Sequence, residues 1–529
     1  MNRWLHLGEI TRINAMLAPE KLGAKDLIRS LSFRAWNERS CRLANALLGL
    51  GLKKGDCVGV LAYNCVEWAE IYVTLAKAGL IAVPIVFRLA PPEIEYILND
   101  CQAKAFIVQE PFVPAVESIR PGLPRIKHYI YLGTGDSPAG YLHYEDLMRT
   151  GTPNEPPVDV RYEDVWTICY TSGTTGRPKG AIRTHESFIA LWLIDIAEIG
   201  FRRDDLALVV LPMCHSNSIN FGFALTYAQA GMFIYHVPSF EPEHLLKTLA
   251  EEKITFTSLV PTHYIMLLAL PDQVKERYDV SGVRKLMCSS APARLDTKLD
   301  ILKFFKNSEL FEGYGATETG LVTLLRPEDQ IRKLGSIGRE VIGTDRIRLL
   351  DDQGREVPDG EVGEIYSRGP YNFSGYLNRP EATAESYRGE FFSAGDLARR
   401  DQDGFYYLID RKKNMIISGG ENVYPSEVEN VIGGHEKIKE VAIIGVPDPK
   451  WGEAVKAVVT VHEGVECSPE LEKELLDFCQ GKIAGFKRPK SVDFINEADM
   501  PRTPSGKILH RELRRRYSEK DDSGSRKLK

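Results

Sequence analysis

Residues 168–180 read ICYTSGTTGRPKG, an apolar start followed by hydroxyl side chains, glycines and a lysine. Thr171, Ser172, Gly173, Thr174, Thr175 and Gly176 make a loop rich in backbone N–H groups and hydroxyl donors, and Lys179 adds a positive charge. Such a loop can wrap phosphate oxygens. It is not a Walker A loop, because Pro178 stands where the second glycine would fall and Gly180 follows the lysine. On composition alone it reads as a solvated linker. Further along, GYGATETG (313–320) sets Thr317 beside Glu318. A hydroxyl next to a carboxylate suits a phosphate oxygen and Mg²⁺, since hard magnesium takes oxygen ligands and keeps several waters. An isolated Thr-Glu pair is otherwise a helix N-terminus. In GDLARRDQDGFYYLIDRKKNMI (395–416), a buried aspartate would accept the two hydroxyls of a diol such as that of ribose, with a surface salt bridge as the alternative.

These residues need a scaffold, and the chain alternates helix and strand. Cys57–Tyr63 is a short apolar run suited to a buried parallel strand. Asn64 with Glu67 reads as a capping box opening a helix through Trp68, Tyr72, Leu75 and Ala76, and Gly79 ends it. A second run, Leu80–Phe87, completes a βαβ unit. The pattern recurs through Leu206–Val210, Met232–Val237, Thr255–Val260 and Lys285–Cys288. The expected fold class is α/β: a large N-terminal lobe of several subdomains with parallel-type sheets, then a small α+β unit. Past Asp410 the elements shorten. Val441–Val446 and Ala454–Val461 predict strands, Ser468-Pro469 opens a helix, Ser491–Ile495 predicts another strand, and a last helix carries Arg511–Arg516. Ser426 and Glu429 in SGGENVYPSEVE (418–429) predict a further capping box.

The 529 residues exceed the usual single-domain size of about 100–150. With 43% apolar and 26% charged residues, composition excludes a mostly disordered chain, a collagen repeat and a coiled-coil rod. A formal charge of −6 supplies no basic field for nucleic acid, and the Arg511–Arg516 run caps a helix. The longest apolar run, Leu206–Met213, is too short to span a bilayer, and the N-terminus has no signal-like apolar region. The nine cysteines form no CxxC pair and read as reduced, buried thiols. A cytoplasmic protein, monomeric or homodimeric and without an integral membrane segment, is the expectation.

The 168–180 string resembles the phosphate loop of the adenylate-forming superfamily, which includes acyl-CoA synthetases, peptide-synthetase adenylation domains and beetle luciferases. The likeness recurs in order along nearly the whole chain. It implies that Thr171–Lys179 contacts the β- and γ-phosphates of ATP. Glu312, Gly313, Tyr314 and Gly315 would flank the nucleotide, with Tyr314 on adenine. Thr317 takes the α-phosphate role and Glu318 the magnesium role. Ser290, Ala291 and Pro292 resemble the segment lining adenine and the acyl pocket. His215, in LPMCHSNSIN, matches a position guarding the carboxylate end of the acyl site. Asp396 and Arg411 take the ribose roles, Lys413 the hinge, and Gly420 lines the tunnel for the pantetheine arm of coenzyme A. Lys507, in PRTPSGKI (501–508), matches the catalytic lysine.

The resemblance implies domains at 1–411 (ATP and acyl binding) and 414–517 (mobile, bearing Lys507) with a hinge at 412–413, and the composition of 518–529, apolar only at Leu528, predicts a disordered tail. It also implies an AMP-forming acyl-CoA ligase using ATP, Mg²⁺ and coenzyme A, on a medium-chain, alicyclic or aromatic monocarboxylate. Loading of a separate carrier protein is the alternative. The string Gly433-Gly434-His435 runs on to Glu436 instead of the serine of a built-in carrier, which favours a free thiol. A non-catalytic nucleotide sensor is the rival of another class, yet both Lys507 and Glu318 are present.

Overall fold

The computed structural model describes residues 5–171, 178–237, 240–289, 293, 295–418, 421–503 and 506–521. They fall into two compact units, one of residues up to Ile347 with Ser367–Phe392, the other of Arg348–Tyr366 with the chain from Ser393 onward. The expected pivot at Lys413 therefore lies inside the second unit; where the chain packs and where it turns are separate properties.

The first unit holds two large sheets. One has seven strands in the order Tyr141–His143, His128–Leu132, Ala105–Gln109, Cys57–Leu61, Ile81–Pro84, Val165–Thr171 (β1) and Lys179–Thr184 (β2). All neighbours are parallel except the β1–β2 pair. The other has nine strands, six of them consecutive and parallel. Between the sheets run helices with almost no exposed face. In Glu67–Ala78 every residue after the first is buried, and helix Ser216–Tyr227 (α1) is almost as enclosed. Such helices need cover on all sides, which two sheets supply, and the charges they carry are paired, Glu70 with Arg29 and Arg39 and Lys77 with Glu155. Trp166 of β1 sits at the centre of this core, edge-on to Phe188, Trp192 and Phe223 at 4.9, 5.5 and 6.0 Å.

At one edge of the nine-stranded sheet, Glu309–Ala316 (β3) turns back antiparallel into Gly320–Leu325 (β4). Residues 317–319 are the loop of this hairpin, and Gly320 follows in the left-handed region at φ +63°. A three-residue loop closed by a left-handed glycine is a standard hairpin geometry. The Thr317-Glu318 pair thus sits on a hairpin tip, not at a helix start.

The second unit contains a four-stranded antiparallel sheet of Arg348–Leu350, Val362–Tyr366, Asp396–Arg400 (β5) and Tyr406–Arg411 (β6). A five-stranded sheet centred on Ile438–Asp448 and Gly452–Val461 follows, packed by helices Pro425–Ile432 (α2) and Pro469–Phe478. The last helix, His510–Asp521 (α3), runs on past residue 518, into the stretch expected as a disordered tail. The α/β class with a smaller α+β part is as expected.

Two local readings are corrected. Asn64 caps no helix; the cap position is Val66, whose N–H donates to Asp26 Oδ2 at 2.9 Å. Asn64 instead accepts from Met213 N at 2.7 Å and donates to the Leu211 and Tyr235 carbonyls. Ser426 and Glu429 form no capping box. Ser426 N donates to Asp410 Oδ2 at 2.9 Å, and Glu429 accepts from Ile443 N and binds His510 Nε2 at 2.6 Å. In both places a tertiary partner outbid the local one, as a buried polar group must take whichever donor its surroundings present. Gly79 at φ +65° and the Ser468 cap on Leu471 N stand where the pattern puts them. Eight of the nine cysteines are buried, with Cys467 exposed. Among the described residues no helix is long and apolar enough to cross a membrane.

Candidate active site

In the first unit the hairpin tip meets the end of β1, where the phosphate-type string begins. β1 ends at Thr171 and β2 begins at Lys179, and the two are register partners. Thr171 is thus the C-terminal end of a parallel strand, the place where ligands of α/β sheets bind. Thr171 Oγ1 donates to Glu318 Oε1 at 3.2 Å, and Tyr376 Oη donates to the same oxygen at 2.9 Å. Among the described residues none hydrogen-bonds Glu318 Oε2. Glu318 is only 7% exposed, so this carboxylate is oriented and largely stripped of water. It fits a magnesium ion: a hard oxygen donor, held by hydroxyls, with one oxygen left to coordinate. The Lys179 ammonium lies 5.0 Å over the Tyr376 ring, held beside the same group.

Thr317 Oγ1 is 3.2 Å from Ser216 Oγ at the start of α1. His215, half-buried, is the residue before α1 and occupies its cap position. Thr317 and His215 are thus brought to one place through Ser216. Tyr314 is half-buried on β3, paired with Thr323. Glu312 is buried and paired with the buried Lys298; burial pushes its carboxyl up and Lys298 pulls it back. Its carboxylate is thereby committed within the protein. Gly313 packs on Leu321.

Gly315 is needed for the hairpin itself. A Cβ there would lie 1.9 Å from the Gly320 carbonyl oxygen, which is backbone and cannot swing aside. Gly315→Ala is expected to prise β3 from β4, with a stability loss of about 1–3 kcal/mol. Chemical denaturation reads the first effect. Nucleotide-dependent shifts in melting temperature, smaller than for the wild type, read the displaced tip.

In the second unit Asp396 and Arg411 face each other across β5 and β6, with Arg411 Nε 2.6 Å from Asp396 Oδ1. The salt-bridge alternative is present; Asp396 is buried and Arg411 exposed. Lys507 belongs to the same neighbourhood. Its turn is closed by Thr503, which donates N–H to the Lys507 carbonyl at 2.7 Å and accepts from Lys507 N at 3.0 Å on Oγ1. Gly506 completes it at φ +88°. Lys507 is exposed as a residue, yet surrounding atoms strip water from its amine and push its pKa down. Repulsion from Arg411 adds to this, and Asp396 opposes it. Lys413 leads a segment whose carbonyls are gathered by Arg514 of α3: Asn414 O at 2.6 Å, Met415 O at 3.2 Å and Lys413 O at 3.3 Å. Ser172, Gly173, Thr174, Thr175, Gly176, Ser290, Ala291, Pro292 and Gly420 lie outside the described residues.

Three residues that touch the site escaped the sequence reading. Tyr376 and Ser216 carry no local signal, since their role comes from long-range approach. Arg183 does carry one: it shares the inward phase of β2 with Ala181, and a charge on an inward strand face calls for an explanation.

The family described as AMP-binding enzyme matches residues 14–377, and its C-terminal domain matches residues 427–507. A feruloyl-CoA synthase of an Amycolatopsis species is 36% identical over 506 residues, covering 95% of this chain and 97% of that protein. A long-chain-fatty-acid–CoA ligase of Mycobacterium tuberculosis is 35% identical over 489 residues, covering 92% and 93%. Among solved structures, the anthranilate CoA ligase AuaEII in complex with anthranoyl-AMP superposes with a TM-score of 0.88 at 29% identity, covering 98% of each chain. The phosphate-type loop, the Thr317–Glu318 tip and these matches over nearly the full length agree: the chain belongs to the AMP-binding enzyme family of the adenylate-forming superfamily, on its acyl-CoA synthetase branch.

Proposed function

We propose that the protein joins a carboxylic acid to coenzyme A in two half-reactions. In the first, the acid's carboxylate oxygen attacks the α-phosphorus of ATP and pyrophosphate leaves with its bonding electrons. In the second, the thiol sulfur attacks the acyl carbon, AMP leaves, and the thiol proton passes to solvent. The observation that carries this reading is the convergence of Thr171, Lys179, Thr317 and Glu318 on one hairpin tip. No covalent enzyme intermediate is required, so the protein's work is positioning and charge neutralisation.

Thr317 would donate to the α-phosphate, and the 171–179 loop would cover the leaving phosphates. Lys507 would span carboxylate and α-phosphate in the first step. Asp396 and Arg411 would hold the ribose. Glu318 would hold magnesium, which when bound draws charge from the leaving oxygens. His215 would sit at the acyl carboxylate. Rotation about Lys413 would then withdraw Lys507 and present Gly420 to the pantetheine arm.

The acid is a monocarboxylate with an aromatic or alicyclic body or a medium-length chain. The support is that two of the three relatives above are named for aromatic acyl groups, feruloyl and anthranilate. Measuring AMP release across a panel of acids, with coenzyme A present and absent, tests this. Dependence on a carrier protein in place of coenzyme A would overturn the choice of thiol. Lys413→Pro removes a backbone N–H and fixes φ. It is expected to depress the two half-reactions unequally, by at least about tenfold between them. Equal loss in both would argue against alternation about this residue.

A further inference from the structure

Arg183 is 1% exposed, buried behind the hairpin tip. Its Nη1 donates to the Thr317 carbonyl at 2.6 Å and its Nε to Ser187 Oγ at 3.2 Å. The Phe188 ring lies 4.5 Å from the guanidinium carbon. Ser187 is itself fixed, donating Oγ–H to the Thr184 carbonyl at 2.9 Å. The remaining nitrogen, Nη2, is buried without a hydrogen bond among the described residues. Burial pushes the guanidinium down to about 10, and the Glu318 charge pulls it back. Packing alone does not account for such a residue. An incompletely paired buried charge is a liability, and an apolar side chain of similar volume is often as stable or more so.

What the arginine does is visible in the loop. Residues 317–319 are held at their ends by the Ala316–Thr319 bonds, Thr319 N to Ala316 O at 3.2 Å and Ala316 N to Thr319 Oγ1 at 3.1 Å. Inside the loop two successive carbonyls are gripped from outside: Thr317 O by Arg183 and Glu318 O by Phe373 N at 2.7 Å. Each carbonyl belongs to its own peptide plane, so holding both sets the two planes that flank Glu318, and with them the directions of the Glu318 and neighbouring Thr317 side chains.

We propose that Arg183 is a positioning residue for acid activation, holding the Thr317 carbonyl so that the Thr317 hydroxyl and Glu318 carboxylate are pre-set for the nucleotide. The inference rests on the adenylation reading above. A misplaced group costs rate even when every chemical part is present.

The test uses the full-length protein with Arg183→Met and Arg183→Lys. Each is assayed for acid-dependent ATP–pyrophosphate exchange, for coenzyme A acylation from a supplied acyl-adenylate, and for melting temperature. Arg183→Met is expected to lower kcat for exchange by about 10- to 100-fold. The KM for the acid and the supplied-adenylate reaction should stay within about threefold of wild type. Melting should move by only a few degrees. Arg183→Lys, able to reach the carbonyl but not Ser187 as well, should recover part of the rate. Wild-type exchange in a well-folded Arg183→Met overturns the proposal. So does parallel loss of both half-reactions and of stability, which would mark a purely structural residue. Should Arg183→Met fail to fold, Arg183→Lys decides: loss confined to exchange supports positioning, and wild-type rates overturn it. Absence of exchange in the wild type with every acid would sink the adenylation reading, and this inference with it.

Discussion

Lys507→Ala is expected to reduce acid-dependent ATP–pyrophosphate exchange by about 10²–10³-fold, the scale of losing one charged stabiliser at a reacting phosphoryl group. Coenzyme A acylation from a supplied acyl-adenylate should survive, since the lysine serves only the step in which carboxylate and α-phosphate, both anionic, must meet. The turn closed by Thr503 and Gly506 is held by backbone and hydroxyl bonds that do not involve the lysine side chain, so the fold should tolerate the change. A pH profile gives a second reading. Burial and Arg411 lower the lysine's pKa, with Asp396 opposing. If the ammonium is the working form, exchange is full below that lowered pKa and is lost as pH rises through it, sooner than for an ordinary lysine. Lys507→Arg, which stays charged, should carry residual exchange to higher pH. Undiminished exchange in Lys507→Ala would remove Lys507 from the mechanism.

Much of this site was legible because its local chemistry is written in short strings. A run of Ser, Thr and Gly after an apolar strand, and a Thr-Glu pair framed by glycines, need particular residue types at fixed spacing. Those types survive as pattern. The strands around them were legible for a related reason: a parallel strand covered on both faces reads as an apolar run, as Leu286–Cys288 does within a strand, Lys285–Cys288, that matches its expected bounds. What stayed hidden is tertiary. Asn64 looked like a helix cap because capping is local, but its amide lies against the Leu211, Met213 and Tyr235 backbone, nearly 150 residues or more away. Ser426 was drawn to Asp410 in the same way. Tyr376 reaches Glu318 across 58 residues, with no marker in its own surroundings. The Thr-Glu pair showed the right chemistry and left its geometry open: helix start and hairpin tip share the same letters, and only the pairing of β3 with β4 separates them.

Glu318→Gln isolates a charge within an otherwise intact site. Glu318 Oε1 already accepts from the Thr171 and Tyr376 hydroxyls, and a glutamine carbonyl oxygen can accept both. The amide nitrogen would take the place of Oε2, which no described residue hydrogen-bonds, so no partner is lost and no buried donor is forced against another. Folding stability should therefore fall only modestly, through loss of the charge that offsets the buried Arg183 cation. Catalysis should not be spared. An amide offers magnesium a neutral oxygen at best, and the leaving pyrophosphate would lose part of its charge compensation. Exchange should fall by about 10²–10³-fold, with half-saturation by magnesium moved to higher concentration. The paired measurement separates the roles. A drop in exchange with melting lowered by no more than a few degrees and a weakened magnesium response assigns Glu318 to the metal. A drop with unchanged magnesium response would leave it a scaffold for Thr317. Retained exchange at the wild-type magnesium requirement would mean that the oxygen facing away from Thr171 and Tyr376 has no cation to serve.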